Sequence, residues 1–157
     1  MSEFEVRVAS QGDLESIYLI EDESFAKPYP HDLIAKLLRD CPDTFLVVGH
    51  SPGGIVGYCV ACEDGRSAHL ISIGVLQEYR RRGVGTALIQ GLLRNLNPRV
   101  NEMLLEVKSE NMDAVRLYEK LGFKQVEVID GYYQDGSTAV KMVLNLRGAR
   151  ASFGETK

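Results

Sequence analysis

The chain has no tryptophan and only three cysteines, at positions 41, 59 and 62. So few cysteines, and an odd number of them, do not make a disulfide framework, and they favour a reducing compartment. Cys59 and Cys62 form a single C-x-x-C pair, and in a strand their three-residue spacing directs them to opposite faces. We therefore expect no disulfide framework and no metal or redox role for these cysteines.

Long apolar runs and an excess of positive charge are also lacking. No stretch approaches the ~18–20 apolar residues that a membrane span needs, and the first ten residues, MSEFEVRVAS, lack the basic-then-apolar order of a signal peptide. The formal net charge is −4, whereas nucleic-acid-binding domains are usually strongly basic. These features predict a cytoplasmic protein that binds neither membranes nor nucleic acid directly.

The chain does contain a regular succession of strand-like and helix-like patterns over 157 residues, a length that suits one domain. Alternating apolar residues predict strands at 4–10, 44–50, 55–63, 67–76, 102–109, 123–133 and 137–146. Helical spacing predicts helices at 13–24 and 32–40, a third that begins near position 84, and a fourth that Gly122 ends. This order predicts an α/β (α+β) fold in which residues 1–146 form a single domain, with a mostly antiparallel sheet and helices on both faces. Residues 147–157 are polar and aperiodic, and we expect a flexible tail.

The stretch EYRRRGVGTAL, residues 78–88, brings three arginines and two glycines to the start of a predicted helix. The first N–H groups of a helix have no intrahelical partner and the helix dipole adds partial positive charge, so this turn predicts an anion site. Glycines let the backbone approach a phosphate closely. Known nucleotide fingerprints do not fit, because G-x-x-x-x-G-K-[ST] is absent and Leu88 replaces the third glycine of G-x-G-x-x-G. A solvated basic loop is the alternative.

Two motifs together resemble those of the GNAT acetyltransferases. The run Arg80-Arg81-Arg82-Gly83-Val84-Gly85 matches the Q/R-x-x-G-x-G/A pattern with which this family wraps the diphosphate of acetyl-coenzyme A. Residues 105–123, LEVKSENMDAVRLYEKLGF, are similar to a segment of the RimI and archaeal Ard1 types of N-terminal acetyltransferase. The pieces IEDESF, IVGYCV and DGYYQDGSTAVKM occur in the order of these relatives, so that the resemblance covers nearly the whole chain before the tail.

The resemblance implies a GNAT fold with about seven strands and about four helices, and acetyl-CoA as co-substrate. Backbone amides at the end of the strand at 67–76 and in the loop after it are implied to bind the coenzyme, with the N–H of Val75 as donor to the acetyl oxygen. The implied coenzyme-binding residues are Ile73, Gly74, Val75, Arg80, Arg81, Arg82, Gly83, Val84, Gly85, Thr86, Asn111 and Tyr118. Asparagine is also a favoured helix cap, which is the alternative role for Asn111.

Glu106 and Tyr118 are implied as the base and the acid of acetyl transfer. Glu106 interrupts an apolar strand, although period-2 alternation alone would place Leu105 and Val107 inward and Glu106 toward solvent. A carboxylate is a weak base for an ammonium, so Glu106 is expected to act either directly or through a water. Tyr118 matches the acid that reprotonates the coenzyme thiolate, and its alternative is a core tyrosine on the apolar stripe of its helix.

Acceptor contacts are implied for Glu21, Tyr29, Tyr132 and Tyr133, for which a helix-surface carboxylate and ordinary loop aromatics are the alternatives. The three histidines, at positions 31, 50 and 69, are scattered, and their spacing supports no metal site. For His69 we expect a structural role.

The implied function is an N-terminal protein acetyltransferase that uses direct attack of the amine in a ternary complex. Its acceptor is expected to be a protein or peptide N-terminus, with a ribosomal protein, the ribosome or nascent chains as implied partners. Acetylation of lysine side chains or small amines is an alternative, although an α-amine loses its proton more easily than a lysine. A coenzyme-binding or nucleic-acid-binding module without catalysis is disfavoured, because Glu106 and Tyr118 are both present and the net charge is acidic.

Overall fold

The computed structural model describes residues 3–50 and 54–147. Its strands are β1 (Phe4–Val8), β2 (Phe45–His50), β3 (Ile55–Asp64), β4 (Ser67–Val75), β5 (Glu102–Lys108), β6 (Lys124–Ile129) and β7 (Ala139–Asn145). Its α-helices are α1 (Leu14–Ser24), α2 (His31–Asp40), α3 (Val84–Asn95) and α4 (Met112–Lys120). Short 3₁₀ turns span Gln11–Asp13, Pro42–Thr44 and Gln77–Tyr79.

Within the described residues, the seven strands form one sheet in the order β1-β2-β3-β4-β5-β7-β6. β1 with β2, β2 with β3, β5 with β7 and β6 with β7 pair antiparallel. β4 pairs in parallel with β5, through Ser67–His69 and Glu102–Leu104. The predicted α/β fold, with a mixed and mostly antiparallel sheet of seven strands and four helices, is confirmed.

The described residues group into two compact units, of which unit 1 comprises residues 3–50, 54–62 and 70–96 and unit 2 comprises residues 63–69 and 97–147. The prediction of a single domain ending at residue 146 stays a prediction. Of the predicted flexible tail, residues 148–157 lie outside the described residues, as do residues 51–53 between the strands predicted at 44–50 and 55–63. None of the helices in the described ranges is long and apolar enough to cross a bilayer.

Unit 1 carries helices on both faces of β2 and β3. On one face, α1, α2 and alternate residues of β2 and β3 share a buried core. Its members are Ala9, Ile17, Ile20, Ile34, Leu38, Phe45, Val47, Tyr58 and Val60. On the other face lies α3, whose Gly91 is so close to Leu46 and Val6 that a Cβ would approach both side chains to 3.0 Å. The period-2 alternation of β2 therefore divides its side chains between two helical layers.

Unit 2 has one buried and one half-buried strand face. On the buried face the cross-strand pairs of β5 and β7 are Met103 with Leu144, Leu105 with Met142 and Val107 with Val140. The predicted inward orientation of Leu105 and Val107 is thus correct. Residues 102, 104, 106 and 108 lie on the opposite, half-buried face of β5, so this strand presents Glu106 where solvent can reach it.

One predicted strand end and the cysteine prediction differ from the structure. The strand predicted at 123–133 ends at Ile129, because Gly131 takes a left-handed φ of 68° and turns the chain. Cys41 at the end of α2 and Cys62 in β3 form a disulfide with Cα atoms 5.6 Å apart. Their closeness arises from the path of the chain through β2 to β3, which cysteine count and spacing do not reveal. Cys59 points to the opposite face, as predicted, and is fully buried beside α3, which raises the pKa of its thiol.

Candidate functional site

The arginine–glycine loop leads from the 3₁₀ turn after β4 into α3. Arg81 and Gly83 both have left-handed φ angles, of 61° and 83°. Gly83 is the N-terminal cap of α3 and has no side chain with which to cap it, so the N–H groups of Val84, Gly85 and Thr86 stand at an uncapped helix start. Left-handed turns before a helix gather backbone N–H groups into a concavity that suits an anion.

Two of the three arginines of this loop, Arg80 and Arg82, make contacts within unit 1. Arg80 Nε donates to the carbonyl of Val75 at 2.8 Å and so ties the loop back to β4. Arg82 pairs with Glu3 at 3.0 Å, and its guanidinium carbon lies 5.1 Å from the ring centroid of Tyr79. The side chains of Arg80 and Arg82 thus have partners inside the chain, and the binding of an anion by this loop stays a prediction.

The predicted coenzyme residues Ile73, Gly74 and Val75 form the end of β4. At Gly74 a Cβ would meet Ser24 Oγ at 3.1 Å and Ile20 Cγ2 at 3.2 Å, so this glycine is needed for the close packing of α1 on the strand. The donor role predicted for the N–H of Val75 stays a prediction.

Glu21 and Tyr29, both predicted to contact the acceptor, are brought together in unit 1. Glu21 lies in the last turn of α1 with 1% of its surface exposed, and its carboxylate accepts hydrogen bonds from Tyr58, Ser72 and the backbone N–H of Tyr29. Tyr29 lies in the exposed connection between α1 and α2, and its hydroxyl is 3.5 Å from the carbonyl of Ile71 in β4. Glu21 is therefore an internal group rather than the helix-surface carboxylate of the alternative interpretation.

Glu106 lies in unit 2 beside a histidine for which the sequence predicted a structural role. His69 Nε2 of β4 is 2.7 Å from Glu106 Oε1 of β5, because the parallel register sets His69 beside Leu104 and Glu106 follows two residues later on the same face. The side chains are 43% and 19% exposed, so the pair is reachable from solvent. A carboxylate that holds one ring nitrogen fixes the imidazole tautomer and leaves the other nitrogen to exchange a proton.

Tyr132 and Tyr133 lie in the loop between β6 and β7, with ring centroids 4.9 Å apart. Burial and then the charge of Glu106 raise the pKa of Tyr132. Lys108 lies 5.5 Å from the ring centroid of Tyr133.

The loop that carries these tyrosines has its own fixed turn. Lys108 also forms an ion pair with Asp135 at 3.1 Å. The hydroxyl and N–H of Ser137 and the ammonium of Lys108 hold the pKa of Asp135 well below its usual range. The ion pair and the hydrogen bonds of Asp135 hold the β6–β7 loop against β5.

Asn111 and Tyr118 lie at the start and on the buried side of α4. Asn111 Oδ1 accepts the N–H of Ala114 at 3.2 Å, which confirms the capping alternative, and the coenzyme contact stays a prediction. Tyr118 is 7% exposed and packs edge-on against Phe123, with ring centroids 5.6 Å apart. Its position on the apolar stripe is confirmed, and its role as acid stays a prediction.

Sequence reasoning missed the partners of both carboxylates. Tyr58 and Ser72 were hidden in apolar strands, where only a buried acid on the facing helix would have suggested polar partners. His69 could have been found only by pairing the strand predicted at 67–76 with the strand at 102–109, which contains Glu106. In the part of the chain that the structure describes, His, Cys, Asp and Glu side chains do not gather in any group of three or more that could hold a metal ion.

Comparison with known proteins shows what the chain is similar to. The family model described as the acetyltransferase (GNAT) family matches residues 14–123. An N-alpha-acetyltransferase of Sulfurisphaera tokodaii is 34% identical over 158 residues, which cover 92% of this chain and 94% of that protein. The ribosomal protein bS18-alanine N-acetyltransferase of Escherichia coli K12 is 30% identical over 122 residues, covering 77% and 81%. Among solved structures, Ard1 from Thermoplasma volcanium is similar with a TM-score of 0.86 and 32% identity, covering 92% of this chain and 98% of that one.

Proposed function

Because the chain belongs to the GNAT acetyltransferase family, we propose that it transfers an acetyl group from acetyl-CoA to the N-terminal α-amino group of a protein. The observation that carries this proposal is the solvent-accessible His69–Glu106 pair, a proton acceptor suited to an amine. The names of the relatives from S. tokodaii and E. coli support an α-amino acceptor.

The residues at the start of α3 fit the diphosphate of acetyl-CoA. Gly83 presents no Cβ and takes the left-handed conformation, and the uncapped N–H groups of Val84, Gly85 and Thr86 are donors of the kind that bind phosphate oxygens. When bound, the coenzyme supplies the acetyl group as a thioester, whose carbonyl carbon the amine attacks as the carbon–sulfur bond breaks. Asn111 keeps its side-chain NH₂ as a donor that the helix cap does not use, and this group suits the amide of the pantetheine arm.

The His69–Glu106 pair accepts the proton that the attacking amine must lose. An imidazole exchanges protons near neutral pH, where a carboxylate alone is a weak base for an ammonium. Glu106 orients the ring and stabilises the imidazolium that forms, directly or with a water between the ring and the amine. The base assigned to Glu106 from the sequence thus becomes a two-residue unit in this proposal.

Tyr118 returns a proton to the coenzyme sulfur, and the N–H of Val75 donates to the acetyl oxygen as negative charge develops on it. A phenol hydroxyl carries a proton at neutral pH and can donate it to a thiolate. A single backbone donor of the oxyanion-hole type contributes about 3 kcal/mol to transition-state stabilisation.

The acceptor belongs to a protein or peptide, with a ribosomal protein or nascent chains as the proposed source. Tyr29, Tyr132 and Tyr133 supply exposed or partly exposed aromatic surface for a peptide backbone and its first side chain. Nascent chains arise in the cytoplasm, which is the proposed location. There the Cys41–Cys62 disulfide is expected to persist only in an organism whose intracellular proteins keep disulfides.

The test uses two peptides of the same sequence, one with a free α-amine and one with a blocked N-terminus, each incubated with acetyl-CoA and enzyme. Release of coenzyme thiol with the free peptide alone supports α-amino transfer. Equal rates with both peptides would mean that another amine is the acceptor and would overturn the proposal.

A further inference from the structure

The carboxylate of Glu21 is buried and bound by three donors. Its Oε1 accepts from the hydroxyls of Tyr58 and Ser72, the latter at 3.2 Å, and its Oε2 accepts the backbone N–H of Tyr29 at 2.8 Å. Burial and the charge of Glu21 raise the pKa of Tyr58, so that this phenol stays protonated and remains a donor. Burying a carboxylate is unfavourable unless such donors satisfy it, so the network fixes where the group can lie.

The third donor, the N–H of Tyr29, belongs to the exposed connection between α1 and α2, where prolines leave few backbone donors. Tyr29 stands between Pro28 and Pro30, and proline has no backbone N–H. The N–H of Tyr29 is therefore the single backbone donor between Lys27 and His31. Glu21 binds the segment at that donor through a hydrogen bond that its negative charge strengthens.

The backbone and the carboxylate of Glu21 are both held in place by neighbouring strands. Its helical turn is held against β4, where Gly74 lets Ser24 and Ile20 approach to 3.1 and 3.2 Å from the position of a Cβ. Tyr58 and Ser72 hold the carboxylate from β3 and β4. Rigid strands are thereby connected through one side chain to the loop that carries Tyr29.

We infer that Glu21 is a positioning residue for acceptor recognition. It does not contact the acceptor, since it is buried and occupied by donors of its own chain, and instead it fixes the segment Pro28–Pro30 so that Tyr29 presents its ring to the peptide. This inference rests on the proposed function for the identity of the acceptor. It replaces the direct contact expected for Glu21 from the sequence.

The kinetic test is Glu21→Gln compared with Glu15→Gln, the same change at an exposed position of the same helix. A glutamine has one acceptor oxygen and one NH₂, so either the strand hydroxyls or the N–H of Tyr29 must lose an acceptor. We expect the KM for the peptide to rise about ten-fold in Glu21→Gln, with the KM for acetyl-CoA changed by less than about two-fold. Glu15→Gln should leave both unchanged. An unchanged peptide KM, or an equal rise of both constants, would overturn the inference.

Tyr58→Phe serves as a second variant, because it removes one donor from Glu21 and leaves the bond to Tyr29 in place. It should raise the peptide KM less than Glu21→Gln does. A larger rise would contradict the inference that the hydrogen bond from Tyr29 to Glu21, rather than the one from Tyr58 to Glu21, fixes the segment.

Hydrogen exchange at the Tyr29 amide tests the positioning without any catalysis. In the wild type this exposed loop amide should be protected, and in Glu21→Gln its exchange should be faster by about ten-fold while amides of β2 keep their rates. Unaltered exchange at Tyr29 would overturn the inference even in an active enzyme. An enzyme inactive on all peptides would instead overturn the proposed function, and the exchange result would still decide the role of Glu21.

Discussion

Replacing Gly83 by alanine tests the proposed coenzyme loop at a residue whose backbone conformation favours glycine. Gly83 has a φ of 83°, and a Cβ added there would meet nothing within 4 Å. Steric overlap with atoms of the free protein is thus excluded, and the effect that the structure itself sets is that of the left-handed conformation, which is unfavourable by about 1–2 kcal/mol for a residue with a Cβ. The loop is exposed, so in the free protein the variant can relax and avoid this strain. Binding of the coenzyme must then return the variant loop to the left-handed conformation, at the expense of affinity.

We therefore expect acetyl-CoA affinity, measured by calorimetric titration, to fall about 5- to 30-fold in Gly83→Ala. The matched control is Gly65→Ala, because Gly65 also has a left-handed φ, of 66°, with open space around it, in the turn between β3 and β4. Gly65→Ala should lower the melting temperature and leave the affinity unchanged. Arg81→Ala should weaken binding less than Gly83→Ala, since in the proposed site backbone amides rather than arginine charges bind the diphosphate. Equal losses of affinity in Gly65→Ala and Gly83→Ala would refute this reasoning.

Four further predictions concern the proton acceptor, the acid, the disulfide and acid stability. Glu106→Gln and His69→Ala should each lower kcat by about 100-fold or more, and the double variant should be little worse than either, because the two act as one unit. Tyr118→Phe should lower kcat while coenzyme affinity, measured by titration, stays within about two-fold. Cys62→Ser should lower the free energy of unfolding by about 3 kcal/mol, from the 21-residue separation that the disulfide closes, measured by urea denaturation. The pKa of Asp13 is lowered to about 2 in the folded protein. The ionised carboxylate therefore stabilises the fold above about pH 4, by ~2 kcal/mol at most, and this stabilisation is lost as the pH falls toward 2.

Each of these has a control or a contradicting result. The control for Glu106→Gln is Glu102→Gln. Glu102 lies on the same face of β5 but accepts a hydrogen bond from Ser67 rather than contacting His69, so its replacement should leave kcat nearly unchanged. Normal turnover in the phenylalanine variant would remove the tyrosine from the mechanism. A serine variant as stable as the oxidised wild type would contradict the disulfide. Arg7, first among the groups that lower the pKa of Asp13, is half-exposed, so Asp13→Asn and Arg7→Gln should remove similar amounts of stability, less at high salt.

The sequence predicted the fold well because local patterns and packing agree. Alternation put Leu105 and Val107 inward, and Gly122 and Asn111 set the ends of α4 through a left-handed turn and a cap. The left-handed glycine and the uncapped start of α3 were predictable because they are properties of a few consecutive residues, and their role in binding an anion stays a prediction. The strand end at Ile129 was missed because alternation continues into a turn that Gly131 decides.

The missed features of the site depend on contacts between distant segments. His69 and Glu106 are 37 positions apart and meet only through the parallel register of β4 and β5. Glu21 becomes an internal group only when β3 and β4 present hydroxyls to it, and Cys41 meets Cys62 only after the hairpin forms. Spacing along the chain contains no direct record of these distances.

The most direct test of the central claim is the position of the acetyl group on a peptide that carries both a free α-amine and an internal lysine. After incubation with acetyl-CoA and the enzyme, fragmentation mass spectrometry locates the modification. Acetyl on the α-amine, formed about 100-fold more slowly by Glu106→Gln, is the predicted result. Acetyl on the lysine at an equal or greater rate, or equal α-amine acetylation by wild type and variant, would contradict the account.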